Sequence, residues 1–355
     1  MIRRTLFRSG YGDLVLFSIL AICWGTSFVA IEIGLEYVPP LLFAGLRYGV
    51  AGLIVFGYAA VVTDRLRPAG RNEWLSVGVA GIFLIAFYHA LLYVGELYVP
   101  GAIAATVAST APILTAAFAG AILPRERLSS AGVVGLVLGL IGVVAVVRPS
   151  PTGLDTELLL GAGLVFGAAI AFAVGTVLAR PLDAGLPLET LQAWAMLVGA
   201  AVLLVGAPLR GESVAAIDVT PTALLSFAYL TLVSSVFAFL LYFQLLDRAG
   251  PTQVALVGYA EPAVAIGVSW VLLGYVVDSL TILGLVTILA GFAVIKRRHL
   301  ARVLERRPEA LRRPTTGIRT LRNSTETRRS PPAEAGTDGG VPHDTDAVSP
   351  EPRAD

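Results

Sequence analysis

Apolar residues fall into ten long runs separated by short polar breaks, and this pattern governs the chain up to about residue 300. The runs span roughly 13–34, 41–62, 75–97, 102–123, 130–147, 157–178, 190–207, 222–246, 252–274 and 280–296. A hydrocarbon core about 30 Å thick takes about 20 mostly apolar residues per helix, so each run predicts one crossing. The breaks carry turn residues, as in Val38-Pro39-Pro40, Val99-Pro100-Gly101, Arg148-Pro149-Ser150-Pro151 and Ala249-Gly250-Pro251, and their shortness makes successive helices antiparallel. The reading is an all-α integral membrane protein with ten transmembrane helices. From His299 onward the chain turns polar and buries too little apolar surface to fold, so residues 298–355 read as a disordered cytoplasmic tail. Leu300, Val303 and Leu304, set among arginines, suit a segment lying on the anionic inner leaflet as well as a solvated linker. Asn323-Ser324-Thr325 matches a glycosylation sequon, but a cytoplasmic tail does not meet the glycosylation machinery.

Composition agrees with lipid as the solvent: 56% of the 355 residues are hydrophobic, 14% are charged and the mean hydropathy is +0.78. Short loops on one side hold Arg3, Arg4, Arg8, Arg65, Arg67, Arg71, Arg125, Arg127, Arg180 and Arg248, whereas the other side holds Arg148 and Arg210. Basic loops stay in the cytoplasm, which predicts a multi-pass protein of the cytoplasmic (inner) membrane with both termini inside. The run after Arg8 has no small-x-small cleavage site and reads as a retained helix rather than a signal peptide. The single cysteine, Cys23, excludes an intrachain disulfide and a cysteine-based metal cluster. The net charge of +1 and the lack of a basic stripe give no sign of a nucleic-acid partner. No metal or cofactor motif is present.

The chain repeats itself. A shift of 150 residues lays Gly25-Thr26 over Gly175-Thr176 and Pro112 over Pro262, and a shift of 149 lays Gly135-Leu136-Val137 and Gly142 over Gly284-Leu285-Val286 and Gly291. Five spans per half is an odd number, so the halves enter the membrane in opposite directions and form two inverted-topology five-helix repeats, an arrangement typical of secondary transporters. The expected organisation is a cytoplasmic segment 1–12, a first repeat 13–148, a linker 149–156, a second repeat 157–297 and the tail. Gly132, Gly135, Gly139 and Gly142, and the pair Gly163 and Gly167, are expected to mark close helix contacts.

Several short motifs occur in order on these helices: Trp24-Gly25-Thr26-Ser27-Phe28, Phe43-Ala44-Gly45-Leu46-Arg47-Tyr48 after Pro39-Pro40, Ala111-Pro112-Ile113, Glu126-Arg127-Leu128, Tyr259-Ala260-Glu261-Pro262-Ala263-Val264-Ala265 and Leu272-Leu273-Gly274. With them the chain, over about 13–297, resembles the EamA-type permeases of the drug/metabolite transporter superfamily. The resemblance implies ten helices, cytoplasmic ends and transport of amino acids, other metabolites or toxic compounds, usually outward. Where members often have a lysine and a glutamate, this chain has Glu32 and Tyr275.

An ionisable group inside a span needs a partner, a water-filled cavity or its neutral form. Glu261, ten residues past Pro251 and so about 15 Å into the membrane, lies near the midplane, and Pro262 after it loosens the helix. Glu261 is the leading candidate for substrate contact or coupling, and Pro112 and Pro262 are helix breaks related by the repeat. Glu32 and Arg47 are close enough in depth to form an ion pair across the first hairpin. His89 suits a proton relay less well than core packing, and Glu96 falls near the outer end of the third helix, where water reaches it. Trp24, Thr26, Tyr259 and Gln244 complete the candidate set, with Thr176, Gln192, Ser109-Thr110, Ser234-Ser235 and Tyr242 as further hydrogen-bonding groups.

The function read from the sequence is a secondary transporter that moves a small solute by alternating access, as an exporter or exchanger. Its implied partners are the solute and membrane lipid, with protons, a counter-solute and a second copy of the chain as candidates. The alternatives are a membrane-embedded enzyme, a channel, and a scaffold or sensor. The chain lacks His-Glu-x-x-His, Gly-x-Ser-x-Gly and a nucleotide-binding loop, which counts against the enzyme.

Overall fold

A computed structural model describes residues 10–123, 129–147, 155–182, 185–249, 254 and 256–311. Within them the chain is helical, with no strand. The helices are α1 (Gly10–Leu35), α2 (Pro40–Val62), α3 (Arg71–Gly95), α4 (Gly101–Ile122), α5 (Ser130–Val147), α6 (Thr156–Ala179), α7 (Leu188–Leu209), α8 (Pro221–Leu246), α9 (Val257–Leu273) and α10 (Ser279–Leu311). Among the described residues eight helices, α1 to α8, are long and apolar enough to cross a membrane, and two shorter apolar helices follow, Val257–Leu273 and Ser279–Ile295. Large apolar side chains such as Leu53, Val61, Val205, Leu225 and Val271 stay exposed, as lipid-facing positions do in a bilayer solvent. The Arg125, Arg127 and Arg148 positions, and most of the tail, lie outside the described residues.

Several elements differ from the sequence pattern. α9 has 17 residues, which at about 1.5 Å each makes it shorter than a full crossing. α10 runs on to Leu311 rather than ending near 296, because Leu300-Ala301-Arg302-Val303-Leu304-Glu305-Arg306-Arg307 is rich in strong helix formers. α4 is interrupted at Ser109-Thr110. There the Ser109 hydroxyl donates to the Thr106 carbonyl at 2.6 Å and the Thr110 hydroxyl to the Val107 carbonyl at 2.7 Å, and Pro112, which has no N–H, opens the next segment. α3 and α8 each contain a wide π-helical stretch, Ala80–Phe87 and Tyr229–Phe237. Such stretches are rare and often sit at functional sites.

With no hydrophobic gain from joining helices in lipid, close contact rests on small residues. A Cβ added at Gly142 would meet the Gly284 carbonyl at 2.6 Å, and one at Gly135 would run into the Gly291 carbonyl, so α5 and α10 cross almost backbone to backbone. Gly45 faces Leu203 and Leu204, and Gly52 faces Met196 and Leu197, where α2 and α7 run antiparallel. Gly25 brings α1 against Val264 and the Glu261 carbonyl of α9. The expected Gly163 and Gly167 contact is replaced by others on α6. A Cβ added at Gly163 would meet nothing within 4 Å and one at Gly167 would meet Leu91 at 3.5 Å, whereas Gly161 abuts Gly95 and Val99 and Gly175 abuts Phe83.

The α2–α7 pair is fastened at both ends. Glu212, in the loop after α7, accepts the Leu41 and Leu42 N–H groups at 2.9 Å, satisfying orphan donors in the first turn of α2. At the other end the Thr63 and Thr190 hydroxyls lie 3.4 Å apart, Thr190 donates to the Arg65 carbonyl at 2.7 Å, and the Trp194 indole donates to the Leu66 carbonyl at 2.9 Å. Glu73 holds the same loop through Arg65 at 2.7 Å and the Ala69 N–H at 2.6 Å.

Candidate functional site

Arg47 is the centre of the polar interior. It sits about a third of the way along α2 at 3% exposure. Its Nε donates to the Ser235 hydroxyl at 3.0 Å, Nη1 to the Tyr93 hydroxyl at 2.6 Å and Nη2 to the Ser234 hydroxyl at 3.3 Å. The guanidinium also lies 4.8 Å from the centre of the Tyr48 ring, a cation–π arrangement. All four partners are neutral. The two serines are consecutive in the π stretch of α8, and the carbonyl of Ser234 takes the Trp24 indole N–H at 3.1 Å. One widened turn therefore joins α8 to both α1 and α2.

A second chain of contacts supports the first. Tyr48 and His89 are joined at 2.6 Å between the phenol oxygen and Nε2, and His89 Nδ1 lies 2.9 Å from the Ile85 carbonyl. A carbonyl only accepts, so Nδ1 carries the ring proton and Nε2 accepts from Tyr48. His89 is thus fixed on both nitrogens inside the core. Tyr88 packs its ring on His89 and Phe172 and lies within electrostatic range of Glu261, Glu96 and Arg47. Trp24 packs against Phe239 and Tyr242, with ring centres 5.6 and 5.8 Å apart. Thr26 neighbours the Tyr229 hydroxyl, which donates to the Cys23 carbonyl at 3.3 Å.

The expected Glu32–Arg47 ion pair does not form. Glu32 accepts the Gly101 N–H at 2.8 Å, at the start of α4, where Pro100 offers no capping side chain. A carboxylate is favoured at a helix N-terminus, and Arg47 is meanwhile engaged by Tyr93 of α3 and Ser234 and Ser235 of α8. Glu96 also departs from expectation: it is 5% exposed, and neither carboxylate oxygen has a hydrogen-bond partner. Glu261 is half-buried, without a hydrogen bond or ion pair among the described residues. Pro262 lies buried within a continuous α9. Tyr259 falls apart from the Arg47 cluster; it stacks on Phe292 of α10 at 3.9 Å and its hydroxyl has no partner. Gln244 is exposed on α8.

The candidates thus divide. Arg47 and Trp24 come together on Ser234, His89 joins through Tyr48, and Glu261 lies within electrostatic range of Tyr88, while Tyr259 and Gln244 stand elsewhere. Tyr93 and Tyr48 join the site without having been singled out. Tyr93 had a signal: His89, Tyr93 and Glu96 lie at spacings of four and seven on one face of an apolar helix. A cavity of about 320 Å³ between α5 and α6 is lined by Val143, Val147, Leu159 and Phe166, and it offers no polar group to orient a solute.

Comparison with known proteins bears on the family and the fold. The sequence profile of the EamA-like transporter family matches residues 12–148 and again 159–297. The chain is similar to an "Uncharacterized transporter" of Archaeoglobus fulgidus, 26% identical over 276 residues, covering 78% of this chain and 95% of the relative. It is also similar to a "Probable amino-acid metabolite efflux pump" of Salmonella typhimurium, 28% identical over 299 residues, covering 80% and 96%. The "Uncharacterized inner membrane transporter YedA" of Escherichia coli K12 is 28% identical over 249 residues, covering 70% and 78%. One solved crystal structure shares the fold, with a TM-score of 0.58 at 23% identity over 81% of this chain and 98% of its own. Two profile matches that together span most of the sequence, on an interior built around buried polar groups, show that the chain belongs to the EamA-like transporter family.

Proposed function

We propose that this protein is a secondary transporter of the cytoplasmic membrane that carries a small anionic or zwitterionic metabolite by alternating access, as an exporter or exchanger, with both termini in the cytoplasm. The observation that carries the reading is Arg47, a buried permanent cation whose hydrogen-bond partners are all neutral. Desolvating a charge without a counter-charge is expensive, and a solute carboxylate would supply the missing anion through the two-pronged geometry that guanidinium favours. The relatives named as probable amino-acid metabolite efflux pumps support a solute of that kind.

The proposed architecture is ten spans in two inverted repeats, 13–148 and 157–297. Adding 149 to Gly135 and Gly142 gives Gly284 and Gly291, and the contacts are crossed: Gly135 with Gly291 and Gly142 with Gly284. Crossed partners are what a two-fold axis in the membrane plane produces. The same shift takes Thr63 to Glu212 and Leu41 to Thr190, so the fastenings at the two ends of α2 and α7 are mutual images. It also takes the start of one π stretch, Ala80, to the start of the other, Tyr229. Glu261, near the midplane, is the proposed coupling carboxylate.

Purified protein in liposomes, screened with labelled amino acids and other small carboxylates, tests the reading. Saturable uptake that speeds up when unlabelled solute is preloaded supports it, and Arg47→Lys, which keeps the charge and loses the fork, should raise KM at least about tenfold, the equivalent of about 1.4 kcal/mol. Uptake no faster than in empty liposomes refutes it. Flux that never saturates would assign a channel, and chemical conversion of the solute an enzyme.

A further inference from the structure

Glu96 is not explained by the solute site. It ends α3, is 5% exposed, and both of its carboxylate oxygens are buried without a donor in reach. On its own helix it has Tyr93 three residues earlier, and that hydroxyl is engaged by Arg47 at 2.6 Å. Tyr88 also lies in electrostatic range. From α1 comes Glu32, itself close to Glu36, and from α2 comes Arg47. The facing surface of α6 is Gly161 and Val165, which brings no ionisable group.

The two carboxylates differ in what they are offered. Glu32 is only half-buried and accepts the Gly101 N–H at the start of α4, so although burial works against its charge it is the better placed of the two to be ionised. Glu96 faces a like charge and receives no hydrogen bond. An ionised carboxylate there would be buried, undonated and repelled, whereas a carboxylic acid costs far less to bury. Neighbouring carboxyl groups with such unequal surroundings divide the roles, one charged and one carrying the proton.

We propose that Glu96, with Glu32 beside it, is a proton-binding site at the junction of α1, α3 and α4, a second coupling carboxylate in addition to Glu261. In the conformation described here Glu96 holds the proton, and Arg47 stays with Ser234, Ser235 and Tyr93. When the proton passes to water, the bare Glu96 carboxylate attracts the guanidinium, so that proton release and rearrangement of the Arg47 site are one event. The proton occupancy stands on the local geometry alone; its coupling role rests on the transport reading.

Infrared spectroscopy of the protein in lipid reads the proton directly. In a Glu261→Gln background, which removes the other unpartnered interior carboxyl, the protein at neutral pH should still show the carbonyl stretch of a buried carboxylic acid. Glu96→Gln should abolish that band, Glu32→Gln should leave it, and Glu96→Asp should move it, which keeps the test alive should the glutamine variant misfold. Absence of the band in the parent, or its survival in Glu96→Gln, overturns the site. For coupling, Glu96 and Glu261 act in series, so the ratio of solute flux with and without a pH gradient should fall to about unity in Glu96→Gln as in Glu261→Gln. An unchanged ratio in a protein that does move solute overturns the coupling role, and the acid band supports the proton site even in a protein that moves none.

Discussion

The interior tyrosines offer a graded test of the Arg47 cluster, because replacing each with phenylalanine keeps the ring and removes one hydroxyl. In Tyr93 that hydroxyl accepts from a buried guanidinium at 2.6 Å, and the ring keeps its edge contact with Phe43, with centres 5.6 Å apart. Hydrogen bonds to charged groups contribute about 1.5–3 kcal/mol, so Tyr93→Phe should cost about 2 kcal/mol, roughly a thirtyfold change in an equilibrium constant. In Tyr48 the hydroxyl meets neutral His89 at 2.6 Å, and the loss should be nearer about 1 kcal/mol. In Tyr259 it is buried with no partner, so removing it should be neutral or mildly stabilising. At roughly 2–4 °C per kcal/mol for a large domain, thermal unfolding in one detergent at one scan rate should rank Tyr93→Phe lowest by about 4–8 °C, Tyr48→Phe intermediate, and Tyr259→Phe at or above the parent. A Tyr93→Phe protein as stable as Tyr259→Phe would refute the claim that Tyr93 anchors the cation.

Glu261→Gln keeps the shape and hydrogen bonding of a protonated acid but cannot release a proton, so accumulation driven by a pH gradient should disappear; a variant with the parent's pH dependence makes Glu261 a packing residue. Gly142→Ala and Gly284→Ala each drive a methyl into a facing backbone at 2.6–2.7 Å and should destabilise by about 1–3 kcal/mol, whereas Gly163→Ala, with open space around it, should be tolerated; equal melting behaviour for all three would contradict the α5–α10 crossing. Reporter fusions near residues 10 and 310 should both report the cytoplasm, and an external signal at either would overturn the proposed orientation.

The helices were legible because lipid demands long apolar runs, and α1 to α8 follow them closely. The close approach of α5 to α10 was legible in part, since glycines at three- and four-residue steps on one face have few other uses in a membrane. The π stretches were not. Ala80–Phe87 reads AGIFLIAF, a sequence with no proline or polar break to mark a widened turn. Glu32 and Arg47 matched in depth, yet depth ignores competition. An orphan N–H at Gly101 claimed one, and three hydroxyls 46, 187 and 188 residues away claimed the other. Such long-range partners leave no trace in periodicity. Glu96 departs from expectation for the same reason, because the end of a helix is wet only where no neighbour covers it, and α6 covers this one through Gly95 and Gly161.

The central claim is that the Arg47 site opens alternately to the two sides of the membrane. The chain has one cysteine, Cys23, so Cys23→Ser with Ser235→Cys places a single thiol beside the guanidinium at a position fully buried in this conformation. Alternating access predicts that membrane-impermeant thiol reagents applied from either face modify that cysteine, and that a transported solute slows the reaction from both. Modification from one face alone, or from neither, with no effect of solute, would contradict the account.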